Sequence, residues 1–323
     1  MSHFTTLLPA QPRGAHAVVI GAGTMGADVA IVLARAGCRV TVTDPQPEKR
    51  AALVAHVQAG LSDLDLSARA AGVRCVAGLD DVAWADVRLV IECIPEQLAL
   101  KQALFAQLLQ YVPAHTVLTS NSSSFPISAI AHNLPTAQRM LGLHFFMPAH
   151  LVPLVEVVLG PQTDAACAQA LCDFMRGCGS VPVLVRKDKP GFLANRLQHA
   201  LAREAFAMID EGVASPEDVD AAVRFGFGFR FLAAGPVLQR DHAGLDVHTA
   251  AAASMYPSLS TTAEPAQVLR DHVAAGRLGM KTGAGFFEWS PEQRQGERHR
   301  YDRLLQQGLA ILADELPPLD RSF

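Results

Sequence analysis

The sequence predicts an α/β fold, with a doubly wound sheet in the first part of the chain followed by a mostly α-helical C-terminal part. Three observations carry this. Short apolar runs rich in Val, Ile and Leu alternate with helical patterns as far as residue 186, a glycine triplet stands at the first strand-to-helix turn, and after "RKDKPG" (186–191) the strand signal almost vanishes. At 323 residues the chain exceeds the length at which one core keeps growing, and 50% apolar residues suffice for two cores. The boundary is placed after residue 189, giving a sheet domain at 1–189 and a helical domain at 190–323.

Along the chain, "MSHFTTLLPAQPRG" lacks the basic start and continuous apolar core of a signal peptide and is expected to be a leader. Strands are expected at 17–20, 39–43, 73–77, 88–94, 116–120, 140–146, 154–159 and 181–186, apolar enough to be covered on both faces. The nearly uncharged stretch 141–161 has the length of a membrane helix, but Pro148, Pro153, Pro161 and Glu156 break that reading and leave buried strands. A helix at 96–109 is expected to face the sheet with Leu100, Leu104 and Leu108. Further helices are expected at 192–210 and 215–224. Ser215 caps the latter, with Pro216 at the first helical position and Asp218 in the first turn.

Gly21, Gly23 and Gly26 form GxGxxG directly after a strand, with Thr24 and Met25 completing the turn into the helix. Their roles are a tight turn, close approach of a pyrophosphate and close helix-to-strand packing, and the helix N-terminus offers unpaired N–H groups to phosphates. This marks a Rossmann-type dinucleotide site. Asp44, at the end of the second strand, can accept hydrogen bonds from ribose hydroxyls and would repel a 2'-phosphate, so NAD is expected rather than NADP. No further flavin-binding signature accompanies the motif.

A net charge of −4 without any run of Lys or Arg excludes the electrostatic footprint of a nucleic-acid or anionic-membrane partner and leaves a small-molecule substrate. The six cysteines show no CxxC pair and no His at zinc-finger spacing, which points to reduced core thiols and a cytoplasmic protein. The spacing of His144 and His150, the "DHAGLDVH" stretch (241–248) and the pair Cys167 and Cys172 each lack a complete ligand set, so no metal is expected.

His144 stands at the end of one apolar strand and Glu156 inside the next. A buried carboxylate can fix the tautomer of such a histidine and favour its protonated form, which makes an acid/base pair. Here the chain resembles the L-3-hydroxyacyl-CoA dehydrogenase family. The motifs "GAGTMG", "VIECIPEQLALK", "TSNSSS", "GLHFF...PLVEVV", "KPGFLANRL" and "GMKTGAGFFEW" follow in the family's order. The resemblance implies that His144 is the general base and Glu156 its partner. It makes Ser123 a hydroxyl beside substrate and nicotinamide, and Asn195 a polar group holding the reacting centre. Glu96, Lys101 and Lys281 match positions lining the cofactor. Reversible oxidation of an L-3-hydroxy acid or derivative to the 3-oxo form, and a homodimer, follow from the same resemblance.

Three departures narrow the substrate. Met147 occupies the position after "HFF" where the family usually carries Asn. The excursion 51–80 holds Arg69 and Arg74 against Asp63, Asp65 and Asp80 and has no lysine, which is poor ground for coenzyme A phosphates. Arg230, in "GFGFRF", resembles a basic residue of the branch acting on L-gulonate, L-carnitine and pyridine carboxylates, and a guanidinium can pair bidentately with a free carboxylate. A small free hydroxy acid is therefore the expected substrate. The alternatives are a 3-hydroxyacyl-CoA and, because the lambda-crystallins are relatives, a catalytically silent NADH-binding protein.

Overall fold

The computed structural model describes residues 8–321. The start of the expected leader, residues 1–7, lies outside the described residues. Eight strands form one sheet: β1 (His16–Ile20), β2 (Arg39–Thr43), β3 (Val73–Val76), β4 (Val87–Glu92), β5 (Val117–Ser120), β6 (Met140–Phe145), β7 (Leu154–Leu159) and β8 (Val181–Val185). Their spatial order is β3-β2-β1-β4-β5-β6-β7-β8. All neighbouring pairs run parallel except β6 and β7, which are antiparallel. The uncharged stretch that has the length of a membrane span is resolved into this antiparallel pair. Among the described residues no single helix is long and apolar enough to cross a membrane.

The helices are α1 (Thr24–Arg35), α2 (Pro47–Ser62), α3 (Leu98–Leu108), α4 (Ile127–Ile130), α5 (Ala165–Gly177), α6 (Ala194–Asp210), α7 (Pro216–Ala221), α8 (Pro236–Ala243), α9 (Leu245–Met255), α10 (Gln267–Ala274) and α11 (Pro291–Ile311). Alternation along each strand divides the sheet's side chains between two cores. Ala17 and Val19 of β1 pack in one cluster with α1, α2 and α5, while Val18 and Ile20 pack in the other with Phe105 and Leu108 of α3 and Ile127 and Ile130 of α4. Helices on both faces are what the continuous apolar strands demand.

The α3 stripe differs from expectation. The helix buries Lys101, Phe105 and Leu108, and Leu100 is 45% exposed. Leu108 is buried and Leu104 packs against the core as expected, whereas Leu100 gives way to Lys101, whose ammonium Glu92, fully buried at the end of β4, draws inward.

The chain divides into two compact units, Met1–Asn195 with Asp314–Phe323, and Arg196–Ala313. The chain end thus returns to the sheet unit. There Asp320 pairs with Arg13 at 3.2 Å, its carbonyl accepts from Arg69 Nη2 at 2.7 Å, and Leu319 lies against Gly179. In the second unit the cap of α7 is as read from sequence, Ser215 accepting a hydrogen bond from the Asp218 amide. The stretch "GFGFRF" is kinked at Gly226 and continues into a 3-10 turn (Phe229–Leu232).

Candidate active site

The first turn of the sheet unit is shaped by its glycines. Gly21 has φ +105°, and a Cβ at Gly26 would lie 1.8 Å from the Gly21 carbonyl oxygen, so neither position admits a side chain. In front of Gly23 a Cβ would meet nothing within 4 Å. Gly23 is also the N-cap of α1 and supplies no side-chain cap, so the first-turn N–H groups face that open space. Thr24 at the head of α1 is exposed, while Met25 packs against the core. The cradle fits a pyrophosphate.

Asp44 sits just past β2 and is 5% exposed. Its Oδ2 accepts from the Ala22 amide at 2.9 Å and its Oδ1 from the Gln46 amide at 2.9 Å. Each carboxylate oxygen keeps a second lone pair, so Asp44 can still accept from a ribose while it anchors the glycine turn. That anchoring role was invisible in the spacing alone.

His144 and Glu156 are direct cross-strand partners on β6 and β7, which puts both side chains on one face of the sheet. His144 Nδ1 lies 2.7 Å from Glu156 Oε2. The other carboxylate oxygen accepts from the amides of Leu193 at 2.9 Å and Ala194 at 2.8 Å, donors at the start of α6 with no partner in their own helix. Burial alone raises the Glu156 carboxyl; the hydrogen bonds from His144 and these two amides outweigh it and hold the group below its ordinary value. A carboxylate only accepts, so Nδ1 carries the proton, and in a neutral ring this leaves the lone pair on Nε2. The ring packs against Phe146 and Phe192, with centroids 4.5 and 5.7 Å away.

Ser123 follows β5 in a loop gathered by one carboxylate. Glu96 Oε1 accepts from the Ser122 hydroxyl at 2.6 Å, the Ser123 amide at 3.1 Å, the Ser124 amide at 3.0 Å and the Ser124 hydroxyl at 2.8 Å. The Asn195 amide group reaches the Ser123 carbonyl at 3.4 Å. Lys101, which the resemblance places along the cofactor, is held by two carboxylates. It is 1% exposed, with its ammonium held between Glu92 at 2.7 Å and Glu96 at 3.1 Å. Sequence reasoning missed Glu92 itself, which also accepts from the Ser120 hydroxyl at 2.5 Å and the Ile94 amide at 2.7 Å. A lone acid ending the apolar run "RLVIE" was the available signal.

Burial raises the Glu96 carboxyl, but the hydroxyls of Ser122 and Ser124 and the Lys101 ammonium overcome this and bring it to about 2. A carboxyl depressed in the folded state contributes stability that is present above its unfolded value near 4.5 and is lost as pH falls through about 2. The melting temperature of Glu96→Gln should therefore lie below that of the wild type at pH 6, with the gap narrowing below pH 4.5 and closing near pH 2. Thermal unfolding across that range checks it, and a gap that widens on acidification would refute the assignment.

Of the remaining expected positions, Lys281 and Arg230 belong to the second unit. Both are exposed, Lys281 in a turn and Arg230 in the 3-10 turn. Met147 is 64% exposed. In the excursion after β2, Arg74 donates to the Thr41 hydroxyl at 3.0 Å, and Arg69 binds the carbonyls of Arg35 and Asp320. Both arginines of residues 51–80 are thus engaged within the protein. The six cysteines are free thiols.

Comparison with known proteins gives a consistent picture. The model of the 3-hydroxyacyl-CoA dehydrogenase NAD binding domain matches residues 16–189, and that of the 3-hydroxyacyl-CoA dehydrogenase C-terminal domain matches residues 191–289. The chain is 33% identical over 290 residues to 5-formyl-3-hydroxy-2-methylpyridine 4-carboxylate 5-dehydrogenase of Mesorhizobium japonicum, covering 87% of this chain and 94% of that one. The crystal structure of a 5-formyl-3-hydroxy-2-methylpyridine 4-carboxylic acid 5-dehydrogenase, an NAD+-dependent dismutase, is similar with a TM-score of 0.86 at 31% identity, covering 92% of this chain and 98% of that one. The 3-hydroxybutyryl-CoA dehydrogenase structure from Escherichia coli K12 gives a TM-score of 0.71 at 36% identity, covering 86% of this chain and 60% of that one.

Proposed function

This chain belongs to the 3-hydroxyacyl-CoA dehydrogenase family, and from that premise we propose that its NAD-dependent oxidation of a secondary alcohol acts on a small free 3-hydroxy acid rather than a coenzyme A thioester. The observation that carries the choice is the excursion after β2. Within residues 51–80 its two arginines, Arg69 and Arg74, are committed to Thr41, Arg35 and Asp320 and there is no lysine; Lys49 and Arg50 lie just ahead of this stretch, with Arg50 donating to the carbonyls of Asp44 and Pro45. A phosphate-rich tail finds no unengaged guanidinium there. The closer structural likeness to a dehydrogenase of a pyridine carboxylic acid leans the same way, whereas identity to the thioester enzymes is similar and does not choose.

In this reading His144 Nε2 takes the substrate hydroxyl proton, and Glu156 stabilises the imidazolium that results. Ser123 and Asn195 hydrogen-bond the oxygen as it changes from hydroxyl to carbonyl. NAD, when bound, supplies the hydride acceptor. The turn from Gly21 to Gly26, with Thr24 and Met25, would hold its pyrophosphate and Asp44 its adenosine ribose. Glu96 and Lys101 act one step removed, by fixing the serine loop, and Lys281 is a further cofactor contact. Arg230 is the group that pairs with the substrate carboxylate. A homodimer in the cytoplasm completes the reading. It is supported by the helical unit, where no residue of α6 to α11 is buried and Phe225, Phe229 and Val237 are 72%, 65% and 79% exposed, a poor end state for apolar side chains in water.

The test is a panel of short 3-hydroxy acids, carnitine, gulonate and 3-hydroxybutyryl-CoA followed by NADH absorbance. Arg230→Met should raise KM for the best free acid about tenfold to a hundredfold, the worth of a charge-assisted pair of roughly 1.5 to 3 kcal/mol. NADH binding should be unchanged, and Arg230→Lys should recover only part of the loss. Turnover of the thioester far above every free acid, indifferent to Arg230, would overturn the proposal.

A further inference from the structure

We propose that Asp28, His56 and His150 form a binding site for a divalent transition metal of the zinc class, built into the sheet unit apart from the His144–Glu156 pair. The three come from separate elements: Asp28 from α1, His56 from α2, and His150 from the segment between β6 and β7. One ligand atom from each converges so that all lie within 4.8 Å of one another. His56 Nε2 is 2.7 Å from Asp28 Oδ1, and His150 Nδ1 is 3.1 Å from the same oxygen. Zinc bonds of about 2.0 to 2.2 Å to nitrogen and oxygen place tetrahedral ligands about 3.3 Å apart, so small shifts suffice to close the set.

Two details favour a metal over a simple hydrogen-bonded clasp. His150 Nδ1 is shielded from solvent yet makes no hydrogen bond of acceptable geometry, although it stands at ion-pair distance from the carboxylate. A solvent-shielded ring nitrogen facing a carboxylate oxygen at this distance is placed as a third ligand atom would be. The second detail is the support of Asp28. Its Oδ2 accepts from the Ala149 amide at 2.9 Å, which orients Oδ1 toward the two imidazoles in the way that outer hydrogen bonds orient metal ligands.

The side-chain exposures grade from 3% at Asp28 through 21% at His150 to 45% at His56. Entry is therefore from the His56 side, where water completes the fourth position. Two imidazoles and one carboxylate suit Zn2+, Ni2+ or Cu2+ and discriminate against Mg2+ and Ca2+, which prefer all-oxygen shells. A bound ion would pin the segment that leads out of His144 to the helix that begins at the glycine cradle.

The experiment titrates the full-length chain, stripped with chelator, with Zn2+ in a calorimeter, and with Co2+ by visible absorption. One Zn2+ per chain is expected, together with the intense d–d bands of four-coordinate Co2+. His56→Ala changes a half-exposed residue and should fold normally; His150→Ala provides the second arm. Each should weaken Zn2+ binding at least tenfold and remove the cobalt bands, whereas His144→Gln should leave both intact. Binding that is not saturable, binding equally strong in His56→Ala, or loss in His144→Gln alone would overturn the proposal. None of these outcomes depends on which hydroxy acid the protein oxidises.

Discussion

His144→Gln should retain NADH binding and lose about a hundredfold to ten-thousandfold in kcat. The size follows from the role. Removal of a positioned general base costs that much in rate, and the glutamine keeps a hydrogen bond to Glu156 without offering a nitrogen lone pair of comparable basicity. The cross-strand register and the 2.7 Å contact leave Nε2 as the proton acceptor. Fluorescence titration of NADH beside the activity assay separates the two effects, and near-normal turnover in the variant would remove His144 from the chemistry.

Glu156→Gln should cost as much while leaving the protein folded. Its amide oxygen can still accept from Leu193 and Ala194, as Oε1 does now. The amide nitrogen then faces His144 Nδ1 and donates to it, which drives the proton to Nε2 and turns the base into a donor. A tautomer inversion of this kind costs up to about 10,000-fold in rate. Glu156→Ala is the contrasting variant. It strands a buried imidazole N–H and two helix-terminal amides, and should lower stability by about 3 to 5 kcal/mol as well as rate. Urea denaturation of the pair checks the distinction. A Gln variant as unstable as the Ala variant would mean that the carboxylate is structural before it is anything else.

The parts of this protein that a single stretch of chain encodes were legible before any coordinates. Eight strands were expected and eight are found among the described residues, because apolar β-branched runs bounded by turn residues are local signals. The glycine turn, the Ser215 cap and the division into a sheet part and a helical part are local in the same sense. The pairing of His144 with Glu156 was also readable, since two strands joined by a short connection place residues twelve apart in register.

What the tertiary structure decided was every contact between distant segments. Lys101 had the spacing of a surface residue beside a predicted apolar stripe, and only the burial of Glu92 nine positions earlier turned it inward. Glu96 became the clamp of the serine loop across 26 to 28 residues, and the chain end returned to Arg13 and Arg69 across the length of the molecule. The sharpest case is His150. Beside His144 in the sequence it made an incomplete ligand set; in the fold its partners are Asp28 and His56, 122 and 94 positions away. The physical reason is common to all of these. Hydrophobic pattern and turn chemistry act within a few residues, whereas a buried charge takes whatever partner the packed elements bring to it, and no periodicity in the sequence records that meeting.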